Sequence, residues 1–427
     1  MTSQPTRHDL TRRYAWLSFL QWLPVGLTIV PLVLLLLDRG FDLGQIAALG
    51  AVSAVTVGVL ELPTGGLADV VGRRPVLMLS ALIHAIALLL LGLAASLTLL
   101  VVSAALRGLA RALSSGPLEA WYVDAVQASG HRAAADDAYL TTGLARGEFA
   151  ASFALAVGTV GGGLLPVLVS DLAMPVPGLA VPVLLGAGVE IVRLFVTSGI
   201  GDPAGAPGTW WSAVRTVRVT IGSGLHLAGR DALILRLLLV GAATGIALGV
   251  LELVTPAWLG QLAANTEWAA LAYALLATAG FAADALGAML APATRRGLRT
   301  PARAAAAATA VALGGALGLM AAPALERLGA LLMAGTAYVV VFLGLGIAGP
   351  PLGELLHGQV VAGQRATVLS MQSLVFQIAG AGGGLVAGWL TLRGGAAAGF
   401  AVAATSMAGA LAMLVAAPTG RARSGGQ

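Results

Sequence analysis

The chain has no cysteine and no lysine, and charged residues make up only 10% of its 427 positions. Without cysteine it can form neither a disulfide nor a thiolate metal site. No metal-spaced cluster of histidines or acids takes their place, so no cofactor or metal is expected, and nothing beyond scattered polar residues supports an enzyme. All 24 cations are arginine, which together with the abundance of Ala and Gly suggests a GC-rich bacterial source. What fills the chain instead is apolar sequence: 58% of residues are hydrophobic and the mean hydropathy is +0.90. Apolar runs recur from Tyr14 to Ala417, each long enough to cross a hydrocarbon core of ~30 Å. A soluble protein could not bury so much apolar surface. The first run exceeds a signal-peptide core of ~7–15 residues and a second follows directly, so it reads as a retained span.

Twelve spans are predicted: 14–37, 43–67, 75–95, 97–124, 139–168, 178–200, 231–255, 267–291, 301–321, 328–355, 366–391 and 395–417. The loops between them alternate in charge. Sixteen arginines, among them Arg73, Arg74, Arg295 and Arg296, fall on one side, against Arg39, Arg327 and Arg393 on the other. The positive-inside rule makes the arginine-rich side cytoplasmic and places both termini there. The net charge of +5 is thus a topology signal, and no nucleic-acid partner is expected. The longest polar stretch begins Gly201-Asp202-Pro203 and continues with Trp210, Trp211, Arg215 and Arg218, a linker followed by a segment suited to an anionic membrane surface. The expected organisation is an N-terminal six-helix bundle (1–200), a cytoplasmic linker (201–230) and a C-terminal six-helix bundle (231–427). A faint repeat joins the halves. Gly116-Pro117, Gly130, Arg132-Ala133 and Gly147 recur at a single offset as Gly349-Pro350, Gly363, Arg365-Ala366 and Gly380. A duplicated six-span unit is one large transporter architecture.

The sharpest motif sits between spans 2 and 3. Gly65-Gly66-Leu67-Ala68-Asp69-Val70-Val71-Gly72-Arg73-Arg74 resembles the loop 2–3 signature of the major facilitator superfamily, departing from it at Val70, where the family often has arginine. Arg107 is similar to that family's span-4 arginine, and Ser114–Ala125 and Gln364–Leu374 resemble a bacterial branch of drug and metabolite exporters. The resemblance implies an all-α membrane protein of twelve helices in two bundles, working by alternating access as a monomer in the bacterial plasma membrane. It assigns Gly66, Asp69, Gly72, Arg73, Arg74 and Asp124 to a state-dependent clasp, with Asp69 facing the positive N-terminal end of span 11 and Arg73 pairing with Asp124. Drug–proton antiporters of the family carry a Gly-Pro-rich signature in span 5. Here Ala156–Val167 has the glycines, but Pro166 falls late and no Gly-Pro pair occurs.

Ionisable groups at bilayer depth are functional candidates because their burial is costly. Arg107 lies ten residues into span 4, ~15 Å deep, with Arg111 one turn on and on the same face. Two cations there need an anion or a wet cavity. Arg107 reads either as a substrate or proton-coupling group or as half of a structural pair with a carboxylate. Glu61 and Glu119 are candidate proton carriers, since apolar surroundings raise a carboxyl pKa and a nearby arginine lowers it; the alternative for both, and for Asp124, is a static charge network. Arg146 and Glu148 read as a boundary pair, with Glu148 also a candidate proton-coupling or substrate residue; Glu190 and Arg193 read as an intrahelical ion pair on a peripheral span, and His84 as a packed core histidine. Glu252 and Asp284 are lone acids that could meet a cationic substrate. Gln21, Tyr338, Gln372 and Gln377 could supply polar cavity contacts. Gly241/Gly245/Gly249 and Gly380/Gly384/Gly388 read as close-packing stripes. Gly344–Gly349 fits a dinucleotide fingerprint by letter, but it lies within a span and has no preceding strand.

The functional expectation is a secondary transporter with a small-molecule substrate and protons as coupling ion, exporting a drug-like or natural-product compound by antiport, as in multidrug resistance. Its rivals are a proton-coupled importer of a small, even anionic, metabolite held by Arg107, and a non-transporting receptor or scaffold.

Overall fold

The structure, a computed structural model, describes residues 7–128, 134–201, 232–359 and 365–416. The polar linker and its tryptophans lie outside the described residues, as do Gly130, Arg132 and Gly363 of the repeat. All regular structure in the described residues is helical: α1 (Arg7–Ile29), α2 (Pro31–Asp38), α3 (Leu43–Val71), α4 (Arg73–Leu93), α5 (Leu97–Ser114), α6 (Pro117–Ala128), α7 (Ala134–Leu168), α8 (Val181–Ser198), α9 (Ala232–Leu262), α10 (Thr266–Leu298), α11 (Pro301–Ala321), α12 (Arg327–Gln359) and α13 (Arg365–Val415), with single 3₁₀ turns before α8 and after α11. Ten stretches are long and apolar enough to cross a bilayer, and the α1–α2 pair, bent by 42° before Pro31, makes an eleventh. Gly395 leaves helical geometry inside α13 (φ 72°, ψ −177°) and divides it into two spans. The described residues therefore carry all twelve spans of the sequence reading.

Local chemistry sets these boundaries. Asp42 caps α3 reciprocally with Gln45, each side chain bonding the other's backbone N–H at 2.8 and 3.0 Å. Ser96 and Thr300 cap α5 and α11. Arg39 donates to the carbonyls of Leu91 (2.6 Å), Ala94 (2.9 Å) and Gly92, closing the C-terminal end of α4 with a cation. One break was not expected. Span 4, read as continuous over 97–124, is interrupted at Ser115–Gly116, where Gly116 has φ +90° and Pro117 starts α6. The equivalent Gly349-Pro350 leaves α12 unbroken.

The helices gather into two units, one formed by 1–219 with 256–278, the other by 220–255 with 279–427. In the first, α1 packs on α7 and α8, α3 on α5, and α4 on α5 and α8. One core cluster joins Tyr14, Leu17, Trp121 and Tyr122, with the two tyrosine rings stacked at 4.5 Å. On α4, Leu79, Leu82, Ile86, Leu89 and Leu93 form an exposed stripe at helical spacing, as lipid-facing residues do. Ser80 and His84 occupy other faces of the same helix.

In the second unit, α11 packs on α12 and α13. The glycine stripes meet here: a Cβ at Gly245 or Gly249 would collide with the carbonyl oxygen of Phe376 or Gly380, so the backbones of α9 and α13 touch directly. Span 7 thus pairs with span 11 as span 1 pairs with span 5. Likewise α10 meets α12 at Gly287 and Leu343, as α3 meets α5. The repeated pairing is what a duplicated six-span unit requires.

Candidate functional site

Within the first unit, residues of α1, α2, α3, α4, α5 and α8 line a cavity of about 220 Å³. Its polar wall includes Gln21, His84, Arg107, Arg111, Glu190 and Arg193; Val25, Ile29, Leu32 and Leu88 give it an apolar side. The i, i+4 spacing of Arg107 and Arg111 turns both to the cavity. Among the described residues no carboxylate bonds Arg107, and its buried Nε has no hydrogen-bond partner. Gln21 Oε1, from α1, lines the same cavity and is also buried without a partner among the described residues. Arg111 places its guanidinium 4.6 Å above the ring of Trp22 and lies within electrostatic reach of Glu61. Glu61 accepts a 2.7 Å hydrogen bond from Ser115 Oγ at the break between α5 and α6.

The other polar wall is a buried network that corrects two expectations. Glu190 and Arg193 do form the i, i+3 pair, at 2.6 Å from Arg193 Nε to Glu190 Oε2, but the pair is not peripheral. Glu190 Oε1 lies 2.7 Å from His84 Nδ1 on α4, and Arg193 Nη2 donates to Ser80 Oγ at 3.3 Å. His84 is therefore a bonded partner of Glu190 and not merely packed. Glu190 is fully buried, whereas the His84 side chain is 16% exposed. The signal available in the sequence was two polar pairs, Ser80/His84 at i, i+4 and Glu190/Arg193 at i, i+3, each interrupting an apolar helix.

At the α3–α4 turn, Gly72 ends one helix and begins the next with φ 100° and ψ 152°, a region essentially restricted to glycine. The kink sets Arg73 Nη1 at 3.0 Å from Asp124 Oδ2 on α6. Arg74 is half-buried beside it. Gly66 lies in the last turns of α3, and the side chain of Asp69 lies outside the described residues. Gly72→Ala is expected to cost about 1–3 kcal/mol through backbone strain alone, seen as a lower thermal midpoint of the purified protein. In the second unit, Arg295 makes a bidentate pair with Glu354, at 2.9 Å on both bonds, joining α10 to α12. This pair was not anticipated; Arg295 entered the sequence reading only as a topology marker.

The remaining candidates are dispersed. Glu119 and Glu148 are exposed and both lie within electrostatic reach of Tyr14. Arg146 and Glu148 form no ion pair, because residues two apart on a helix point in different directions. Glu252 and Asp284 are exposed and line neither cavity. A separate cavity of about 440 Å³ within the second unit carries no charged group among the described residues; Gln372, Ser373 and Thr244 supply its polarity. Tyr338 instead packs in the core, stacked on Phe342 at 4.9 Å, and Gln377 donates to Ser373. No group of three or more metal-ligating side chains gathers among the described residues.

Comparison with known proteins accords with this architecture. The family profile described as Major Facilitator Superfamily matches residues 15–384. No curated protein matches the chain. Among solved structures, the nucleoside transporter NupG is similar with a TM-score of 0.74 at 13% identity, covering 96% of this chain and 98% of that one. A bacterial homolog of the human lysosomal transporter Spinster, inward-facing and unoccupied, gives a TM-score of 0.71 at 17% identity, covering 97% and 95%. At such identities the likeness is one of fold.

Proposed function

Because the chain belongs to the Major Facilitator Superfamily, we propose that it is a secondary transporter that carries a small molecule across the bacterial plasma membrane by alternating access, driven by protons and in the direction of export. The observation that supports this best is the loose charge set of the first unit. Arg107 faces a cavity with no counter-ion among the described residues, while Glu61 is held by a serine hydroxyl and, among the described residues, hydrogen-bonded by no arginine. An acid and an arginine that are near but not locked can change partners when helices shift. A proton taken up by Glu61, or by Glu119 at the exposed start of α6, then trades places with a charge interaction. The clasp of Asp69, Arg73 and Asp124 holds the cytoplasmic end closed in the outward state, and its release opens the inward one. The organisation is two six-helix bundles with cytoplasmic termini joined by the 201–230 linker, acting as a monomer.

Membrane vesicles test direction and coupling together. Export by antiport predicts that inverted vesicles with an acid lumen accumulate the substrate and lose it on addition of a protonophore. The importer remains as a second reading because Pro166 falls in the last turn of α7, away from the place of the antiporter signature. It predicts uptake into right-side-out vesicles from an acid medium.

A further inference from the structure

The charge count around the first-unit cavity does not balance. Glu190 is already engaged by Arg193 at 2.6 Å and by His84 at 2.7 Å. Glu61 accepts from Ser115 and lies on the side of Arg111, whose guanidinium also rests on Trp22. That leaves the Arg107 charge without a counter-ion among the described residues. Two buried atoms in this one cavity also lack hydrogen-bond partners, and they are of opposite kind: Arg107 Nε can only donate and Gln21 Oε1 can only accept. A buried guanidinium donor left unpaired is expensive, and buried polar groups of this kind ordinarily have partners. Val25, Ile29, Leu32 and Leu88 add apolar lining to the same cavity.

We propose that this cavity inside the first unit is the binding site for a small organic anion that carries a hydrogen-bond donor next to its charged group and an apolar body beyond it. The carboxylate or other oxyanion of such a molecule accepts from Arg107, with Arg111 adding a second positive charge from one turn away. A neighbouring hydroxyl donates to Gln21. The apolar body lies against the aliphatic wall. At about 220 Å³ the cavity falls below the range of about 300–1,000 Å³ common for drug-sized ligands, so the site selects a compact acid, a 2-hydroxy acid in chemistry, over a large amphipathic drug. The inference rests on the transporter reading for its purpose, but not for its evidence, since every group it uses belongs to one unit.

The experiment is equilibrium binding to the purified full-length protein in lipid nanodiscs, without any gradient, using three matched probes. Mandelate has the anion, the hydroxyl and the apolar ring; phenylacetate lacks the hydroxyl; mandelamide lacks the charge. The expected order is mandelate, then phenylacetate several-fold weaker, with no saturable binding of mandelamide. Arg107→Gln is expected to weaken mandelate by about tenfold to a hundredfold, the range for losing a charge-assisted hydrogen bond, with Arg107→Lys between it and the unaltered protein. Gln21→Leu is expected to erase the advantage of mandelate over phenylacetate. Equal binding of mandelamide, full affinity in Arg107→Gln, or failure of both anions to bind overturns the proposal. The probe series on the unaltered protein decides the matter even if a variant fails to fold. A protein that binds mandelate but moves nothing in vesicles refutes the transport reading alone; one that moves neutral or cationic compounds while rejecting both acids refutes this site alone.

Discussion

Glu190→Ala is expected to lower the stability of the first unit by about 3–5 kcal/mol, the usual consequence of stripping the partner from a buried charge. Arg193 is only 3% exposed and Glu190 not at all. Without the carboxylate, Arg193 retains a single hydroxyl partner, Ser80, and His84 loses its 2.7 Å contact. Both the α8 turn and the α4–α8 contact then depend on a guanidinium with no counter-charge. In a thermal melt of the purified protein the midpoint should fall by roughly 10 °C. Glu190→Gln, which keeps an acceptor, should lose less. Replacing both charges, Glu190→Leu with Arg193→Met, should recover most of the loss, because an apolar pair of similar volume avoids desolvation altogether. A Glu190→Ala melt equal to that of the unaltered protein would remove the network's structural role.

Asp69→Asn carries the largest expected effect on transport. A carboxylate facing a helix N-terminus contributes about 0.3–2 kcal/mol, and in the proposed cycle that energy belongs to only one of two states. Losing it shifts their balance and slows turnover, by about tenfold or more when the clasp also loses its hold on Arg73. Insertion into the membrane and the thermal midpoint should be unchanged, because the residue sits in the last turn of α3, next to the helix end at Gly72. Asp69→Glu should retain part of the activity. Full transport by Asp69→Asn would end the clasp proposal.

The fold was legible because the bilayer imposes a simple rule. Every backbone polar group within it must be satisfied internally, so twenty apolar residues mean a helix. The loop 2–3 motif was legible for a related reason, since Gly72 leaves little choice of geometry and its two arginines cannot enter the lipid. The interruption at Gly116 was harder to see. The same Gly-Pro pair is tolerated inside α12, so the letters do not decide between a kinked helix and a broken one. The cavity was only half visible. Arg107 and Arg111 stood out as cations at bilayer depth, and helix spacing correctly put them on one face. His84 reads from sequence as a packed core histidine, and Glu190 and Arg193 as an ion pair on a peripheral span, so neither points to the cavity. Which face of an outer helix turns inward is fixed by packing: the leucine stripe of α4 claims the lipid and leaves Ser80 and His84 for the interior. The Glu190–His84 contact spans 106 positions and leaves no trace in local sequence.

Alternating access of the Arg107 cavity is the central claim, and the absence of cysteine makes it directly measurable. Ser53 lines the cavity, and Ser53→Cys would be the sole thiol of the protein. The account predicts that a membrane-impermeant maleimide reaches this thiol both in right-side-out and in inverted vesicles. Labelling from one face only, under conditions that preserve the thermal midpoint, would contradict alternating access and favour a receptor or scaffold built on a transporter fold.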